Sequence, residues 1–167
     1  GALGAAVNEA ALKRQLMILK SFGCNALRTS HNPPAPELLT LADKLGFLVM
    51  DEAFDCWGVG KKEYDYGALF PKWHERDIES LVCRDRNHPS VILWSTGNEV
   101  EEQYHPESGM ARHLTEVVHR FDNTRPVTFG ASYPSKSAMN GTELQVDVHG
   151  MNYAAGVYGG PYFYGEF

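Results

Sequence analysis

Four apolar residues, Val91-Ile92-Leu93-Trp94, run without a polar break. They give way to Ser95-Thr96-Gly97 and then to an amide and a carboxylate side by side, Asn98-Glu99. A continuous apolar run bounded by turn signals reads as a strand buried on both faces. Pro89, just upstream, ends whatever helix comes before. Phe47-Leu48-Val49-Met50 repeats the pattern and ends in Asp51-Glu52. Cys24 to Thr29, Arg125 to Phe129 and Leu144 to His149 read as three further strands. Between them the apolar period changes to helical. Leu12, Leu16 and Leu19 predict a helix from an Asn8 cap to about Phe22, with Gly23 as its stop. Pro36 suits the first turn of a helix over Glu37 to Leu45, closed by Gly46. Trp73, Ile78, Leu81 and Val82 place a third helix at about Lys72 to Arg86. Met110, Leu114, Val117, Val118 and Phe121 place a fourth.

Strands alternating with helices of this length are the signature of a parallel sheet with crossover helices, an α/β fold. No glycine-rich phosphate loop follows any strand, so a nucleotide-binding doubly wound sheet has no support. Each strand ends instead in polar residues: Arg28 and His31, Asp51 and Glu52, Asn98 and Glu99, His149 and Tyr153. Polar groups converging from many strand ends favour a barrel, where that end carries the chemistry.

Composition narrows the function classes. A length of 167 residues is that of one domain, 1–167, and 43% apolar with 22% charged residues is ordinary for a globular protein. The net charge of −6 makes nucleic acid and anionic membranes unnatural partners. No apolar run approaches the roughly 20 residues of a membrane span. Residues 1–7 are too short and lack the basic start of a signal peptide. Cys24, Cys56 and Cys83 are widely spaced and odd in number, which argues for reduced thiols rather than a disulfide framework or zinc site. The expected setting is a bacterial cytoplasm or periplasm.

Three segments together carry a resemblance. They are Arg28-Thr29-Ser30-His31-Asn32-Pro33-Pro34, then Gly46 through Asp55 (Gly-Phe-Leu-Val-Met-Asp-Glu-Ala-Phe-Asp), and Asp85-Arg86-Asn87-His88-Pro89-Ser90 leading into Trp94-Ser95-Thr96-Gly97-Asn98-Glu99. They closely resemble the catalytic TIM barrel of glycoside hydrolase family 2 in its bacterial β-galactosidase form, over nearly the whole chain to Tyr153. The resemblance implies a retaining glycosidase acting on β-galactosides, with β-glucuronidase or β-mannosidase specificity as related alternatives.

It also implies roles. Glu99 matches the general acid/base, which protonates the glycosidic oxygen and then activates water. Asn98 matches the residue that hydrogen-bonds the sugar 2-hydroxyl. His31 and Arg28 match positions lining the pocket, and Tyr153 matches a tyrosine that steadies the nucleophile. His149 is a further candidate substrate contact. Structural readings stand beside these. Arg28 can serve only to pair with Asp51 or Glu52, and His149 can be a hydrogen-bonded packing residue.

The family barrel has eight strands, and this chain shows five, with a sixth possible near Phe163. Pro161-Tyr162-Phe163-Tyr164-Gly165-Glu166-Phe167 has the texture of a strand that delivers a Glu. Glu166 fits the nucleophile of the wider clan, and it also fits a Gly-Glu-Phe segment of strand eight whose Glu is not the nucleophile; both readings stay open. The barrel is therefore expected to be partial or shortened. No obligatory metal or other cofactor is expected, because the region after Glu52 lacks a metal-binding His. A non-catalytic, sugar-binding fragment and a metal-assisted hydrolase remain as other classes. An open barrel also exposes sheet edges, through which self-association is expected.

Overall fold

A computed structural model describes residues 6–132 and 139–152. Its described strands form one five-stranded sheet, all parallel, ordered β1-β2-β3-β4-β5 as in the chain. The strands are β1 (Ala26–Arg28), β2 (Leu48–Glu52), β3 (Val91–Asn98), β4 (Val127–Ala131) and β5 (Gly150–Met151). Each pairs with the next in sequence, so the order never reverses and no switch point of a doubly wound sheet arises. The sheet curls into an incomplete barrel with helices on its outer face. Among the described residues β1 and β5 have one strand neighbour each.

The helices are α1 (Glu9–Ser21), α2 (Pro36–Leu45), α3 (Phe70–Asp85) and α4 (Met110–Phe121). Local chemistry sets their ends. Asn8 Oδ1 accepts the Ala11 N–H at 3.0 Å, so the expected cap forms. Pro36 opens α2, and Gly46 ends it with φ +73°, which costs a glycine little. The third helix starts two residues earlier than Lys72, because Pro71 suits a first helical turn. The apolar stripes of α2, α3 and α4 close over one face of the sheet. Leu39, Ala42, Ile78, Val82, Leu114 and Val118 pack there against Val49, Val91 and Val127, all at most 2% exposed. The opposite face is open: Leu48 and Ile92 are each 45% exposed.

Two strands differ from expectation. β4 begins at Val127 rather than Arg125. Arg125 turns its guanidinium to Asp122 at 2.7 Å, and Pro126 has no N–H to give a ladder. The strand expected over Leu144–His149 does not form. Thr142–Gln145 is a 3-10 turn, and the strand lies later, at Gly150–Met151. The alternation of Leu144, Val146 and Val148 is not one of burial, since Leu144 is 78% exposed. Asp147 and Val148 instead share one acceptor, the Val127 carbonyl, while the Asp147 carboxylate takes the Val127 N–H at 2.8 Å. Those polar contacts hold the segment out of the ladder. The sixth strand expected near Phe163 lies outside the described residues.

Candidate active site

β3 ends at Asn98, and Glu99 is the first residue beyond it, as the apolar-to-polar transition implies. Glu99 adopts φ +46°, a left-handed conformation that costs a side-chain-bearing residue about 1–3 kcal/mol. Its own N–H donates to the Gly130 carbonyl of β4 at 2.7 Å, which holds the bend. The side chain therefore leaves the line of the strand and stands half-buried at the carboxyl end of the sheet.

Around it the other strand ends converge on one guanidinium. Arg28, at the end of β1, donates to three acceptors: Glu52 Oε2 at 2.7 Å, Asn98 Oδ1 at 2.9 Å and Asn152 Oδ1 at 3.1 Å. The planar fork serves the three acceptors from three separate nitrogens, Nε, Nη2 and Nη1. Asn152, just after β5, donates its Nδ2 to Asn98 Oδ1 at 3.0 Å and to Glu99 Oε1 at 2.8 Å. One amide thus ties the carboxylate of Glu99 to the side chain beside it. Asn98 is 5% exposed and sends its Nδ2 toward Asp55 Oδ1 at 3.3 Å.

Glu52 anchors the floor. It is fully buried, yet it is satisfied by Arg28, by the Ser95 hydroxyl at 2.7 Å and by His31 Nδ1 at 2.6 Å. Its backbone N–H donates to Thr29 Oγ1 at 2.9 Å. His31 is held through this carboxylate while its side chain stays 38% exposed. The loop after β2 completes the rim, where Lys61 Nζ reaches Asp55 Oδ1 and the Asn98 carbonyl, both at 2.7 Å. Trp57, fully buried, supports β3 from behind by donating to the Thr96 carbonyl at 2.8 Å.

Two glycines leave room for this arrangement. A methyl group on Gly130 would lie 2.6 Å from Arg28 Nη2 and 3.2 Å from Asn98 Oδ1. One on Gly97 would lie 2.6 Å from the Trp57 indole nitrogen.

The structure brings Arg28, His31, Asn98 and Glu99 into one network. The ion pair expected for Arg28 forms with Glu52, not with Asp51, because the two acids alternate to opposite faces of β2. His149 is not drawn in. It precedes β5, lies exposed, and pairs with Glu143 at 3.3 Å. Tyr153 and Glu166 lie outside the described residues. Sequence reasoning gave no site role to Ser95, Asp55, Lys61 or Asn152, and named Glu52 only as a polar strand end able to pair with Arg28. Asn152 stands one residue before Tyr153, so attention to the amide next to a singled-out aromatic would have found it. Nothing in a polar glycine-rich loop marks Lys61.

Comparison with known proteins decides the family. The family model described as "Glycosyl hydrolases family 2, TIM barrel domain" matches residues 2–159. The chain belongs to glycoside hydrolase family 2. It is 44% identical to the β-galactosidase BoGH2A of Bacteroides ovatus, across 92% of this chain and 22% of that protein. It is 38% identical to the β-glucuronidase of Mus musculus, across 71% of this chain and 18% of that protein. A solved structure of a glycosyl hydrolase family 2 member from Bacteroides cellulosilyticus superposes with a TM-score of 0.85 at 44% identity, over 93% of this chain and 20% of that one. The chain thus spans about a fifth of the length of the curated relatives it matches. Its five described strands are part of the family 2 TIM barrel.

Proposed function

We propose that this family 2 domain serves a retaining glycoside hydrolase that cleaves terminal β-galactosides, with Glu99 as its general acid/base. The observation that carries the reading is Asn98-Glu99 at the carboxyl end of β3, both side chains gripped by Asn152 and the pair backed by Arg28. A general acid must be aimed before substrate arrives, and one 2.8 Å hydrogen bond plus a fixed backbone bend aim this one. In the first step Glu99 gives its proton to the departing glycosidic oxygen while a second carboxylate attacks the anomeric carbon. In the second step Glu99 takes a proton from water as that water displaces the carboxylate. Asn98, its oxygen engaged by Arg28 and Asn152, presents its amide N–H toward Asp55 and the 2-hydroxyl of a bound sugar. A retaining pair needs carboxyl groups about 5–5.5 Å apart. Glu166 is the proposed partner in one of its two sequence readings.

The galactoside assignment rests on the 44% identity to the β-galactosidase BoGH2A. The β-glucuronidases among the relatives define the competing specificity. The test uses the active polypeptide that carries this domain, assayed on aryl β-galactosides, aryl β-glucuronides and alkyl β-galactosides. Glu99→Gln is expected to slow the alkyl galactoside by roughly 10²–10⁴-fold and the activated aryl galactoside far less, since a good leaving group needs little acid help. Equal losses on both would sink the role of Glu99, and preference for the glucuronide would sink the sugar assignment alone.

A further inference from the structure

α3 and α4 start on the side of the molecule where β2 and β3 end, and their first turns lie against each other in the outer helical layer. There His74 of α3 and His113 of α4 approach with Nε2 3.2 Å from Nε2. Glu75 Oε1 stands 3.1 Å from His113 Nε2. The three ligand atoms all lie within 4.8 Å of one another.

The tautomer of His113 decides how this cluster is satisfied. His74 Nδ1 is 2.7 Å from the Phe70 carbonyl, which can only accept, so Nδ1 carries the hydrogen. In the neutral ring Nε2 is then a lone pair. The Glu75 oxygen is also an acceptor, and its other oxygen is already bound by Arg120 at 2.7 Å. His113 Nε2 has at most one hydrogen to offer to two acceptors. When His113 holds its proton on Nδ1, three lone pairs converge on one point with no hydrogen between them. A divalent cation satisfies all three together.

The geometry suits one class of cation. Bonds of about 2.0–2.1 Å in a tetrahedron put ligand atoms about 3.3 Å apart. Two of the three separations, at 3.2 and 3.1 Å, need to open only slightly, and the third lies within 4.8 Å. The His74 ring is fixed by its bond to Phe70 and by stacking on the Phe70 ring at 4.7 Å between centroids. A ligating histidine oriented through its other nitrogen by a carbonyl is the usual second layer of a metal site, and Arg120 on Glu75 plays the same part. His113 and Glu75 are 39% and 47% exposed, which leaves a coordination position for water. Two imidazoles and one carboxylate suit zinc better than magnesium or calcium.

We propose that His74, Glu75 and His113 form a zinc(II) site that clamps α3 to α4. The site is independent of the glycosidase reading. It departs from the sequence expectation of no obligatory metal, because the third ligand lies on another helix, 39 residues away.

The experiment titrates zinc(II) into the 167-residue chain against a chromophoric chelator at neutral pH, with thermal unfolding and Co(II) absorption as second readouts. One zinc per chain is expected, with tetrahedral Co(II) bands in the visible. At about 100-fold excess over the dissociation constant, Tm is expected to rise by roughly 5–10 °C. His113→Ala and Glu75→Gln are each expected to weaken binding at least about 10-fold, while His105→Ala, removing another surface histidine, leaves it unchanged. Glu75→Gln keeps the side chain's shape, so its loss of zinc is not a loss of fold. Absence of stoichiometric binding overturns the proposal, as does binding that survives both ligand variants or falls equally in His105→Ala.

Discussion

Asp51 and Glu52 are neighbours on β2, and neither exposes any surface, yet they live in opposite surroundings. Glu52 points to the open face and has three partners on its carboxylate: Arg28, Ser95 and His31. Asp51 points under the helices. Among the described residues its carboxylate has one long bond, 3.5 Å from Thr29 Oγ1, and its Oδ2 has no partner while Asp51 and Asp85 are both charged. Burial, and then the nearby Asp85 carboxyl, push its pKa up to about 8. A proton on Asp51 turns the orphaned acceptor into a donor toward Asp85, itself held by Arg84 at 2.6 Å. Equal burial thus has opposite consequences. Where hydrogen-bond donors converge a buried carboxylate is a keystone, and where another acid faces it the group is better neutral.

The largest expected effect breaks the keystone. Glu52→Ala leaves Arg28 without its ionic partner and frees His31, and it should cost about 3–5 kcal/mol in urea unfolding. A loss under about 1 kcal/mol would mean that the Arg28 network is ornamental.

Asp51 should behave in the reverse sense. Its folded pKa of about 8 lies above the ordinary aspartate value of 3.8, so the folded state holds the extra proton across that window. Its contribution to stability is full below about pH 4 and is lost as pH rises toward 8, at up to about 1.4 kcal/mol per pH unit. Asp51→Asn should flatten that slope in urea titrations run from pH 5 to pH 8 and stabilise the chain at the alkaline end. An unchanged slope would assign the pH dependence to other groups.

Gly130→Ala sharpens the comparison from the open face. The added methyl meets Arg28 Nη2 at 2.6 Å, and the network must shift at a cost of about 1–3 kcal/mol. On the proposed function, glycosidase activity of a polypeptide that carries this domain should fall by more than this loss of stability explains, since Asn98 and Asn152 move with Arg28.

The smallest effect concerns the face itself. With Leu48 and Ile92 each 45% exposed and β1 and β5 single-neighboured among the described residues, we propose that the purified 167-residue chain self-associates. Light scattering after size exclusion should find species above the monomer mass, and Leu48→Lys should reduce them. A cooperative monomer would contradict the idea.

Much of this molecule was legible from its residues. Apolar runs ending in polar pairs located β2 and β3, and caps and stops such as Asn8, Pro36 and Gly46 bounded α1 and α2, because these signals act within a few residues. They also placed Asn98-Glu99 at a strand end, and the surrounding wording pointed to the family. The alternation over Leu144–Val148 misled, because a period of two shows a strand only when one face is buried, and burial is decided by what packs against it. Which side chains pair within the converging strand ends was settled by tertiary structure. Arg28 meets Glu52, Asn98 and Asn152 across 24, 70 and 124 residues, and His74 meets His113 across 39. No local pattern encodes a contact at that range. The choice of Glu52 over Asp51 as the partner of Arg28, and the space that Gly130 must leave, follow from which face of a curled sheet each residue meets, and that is known only once the strands lie side by side.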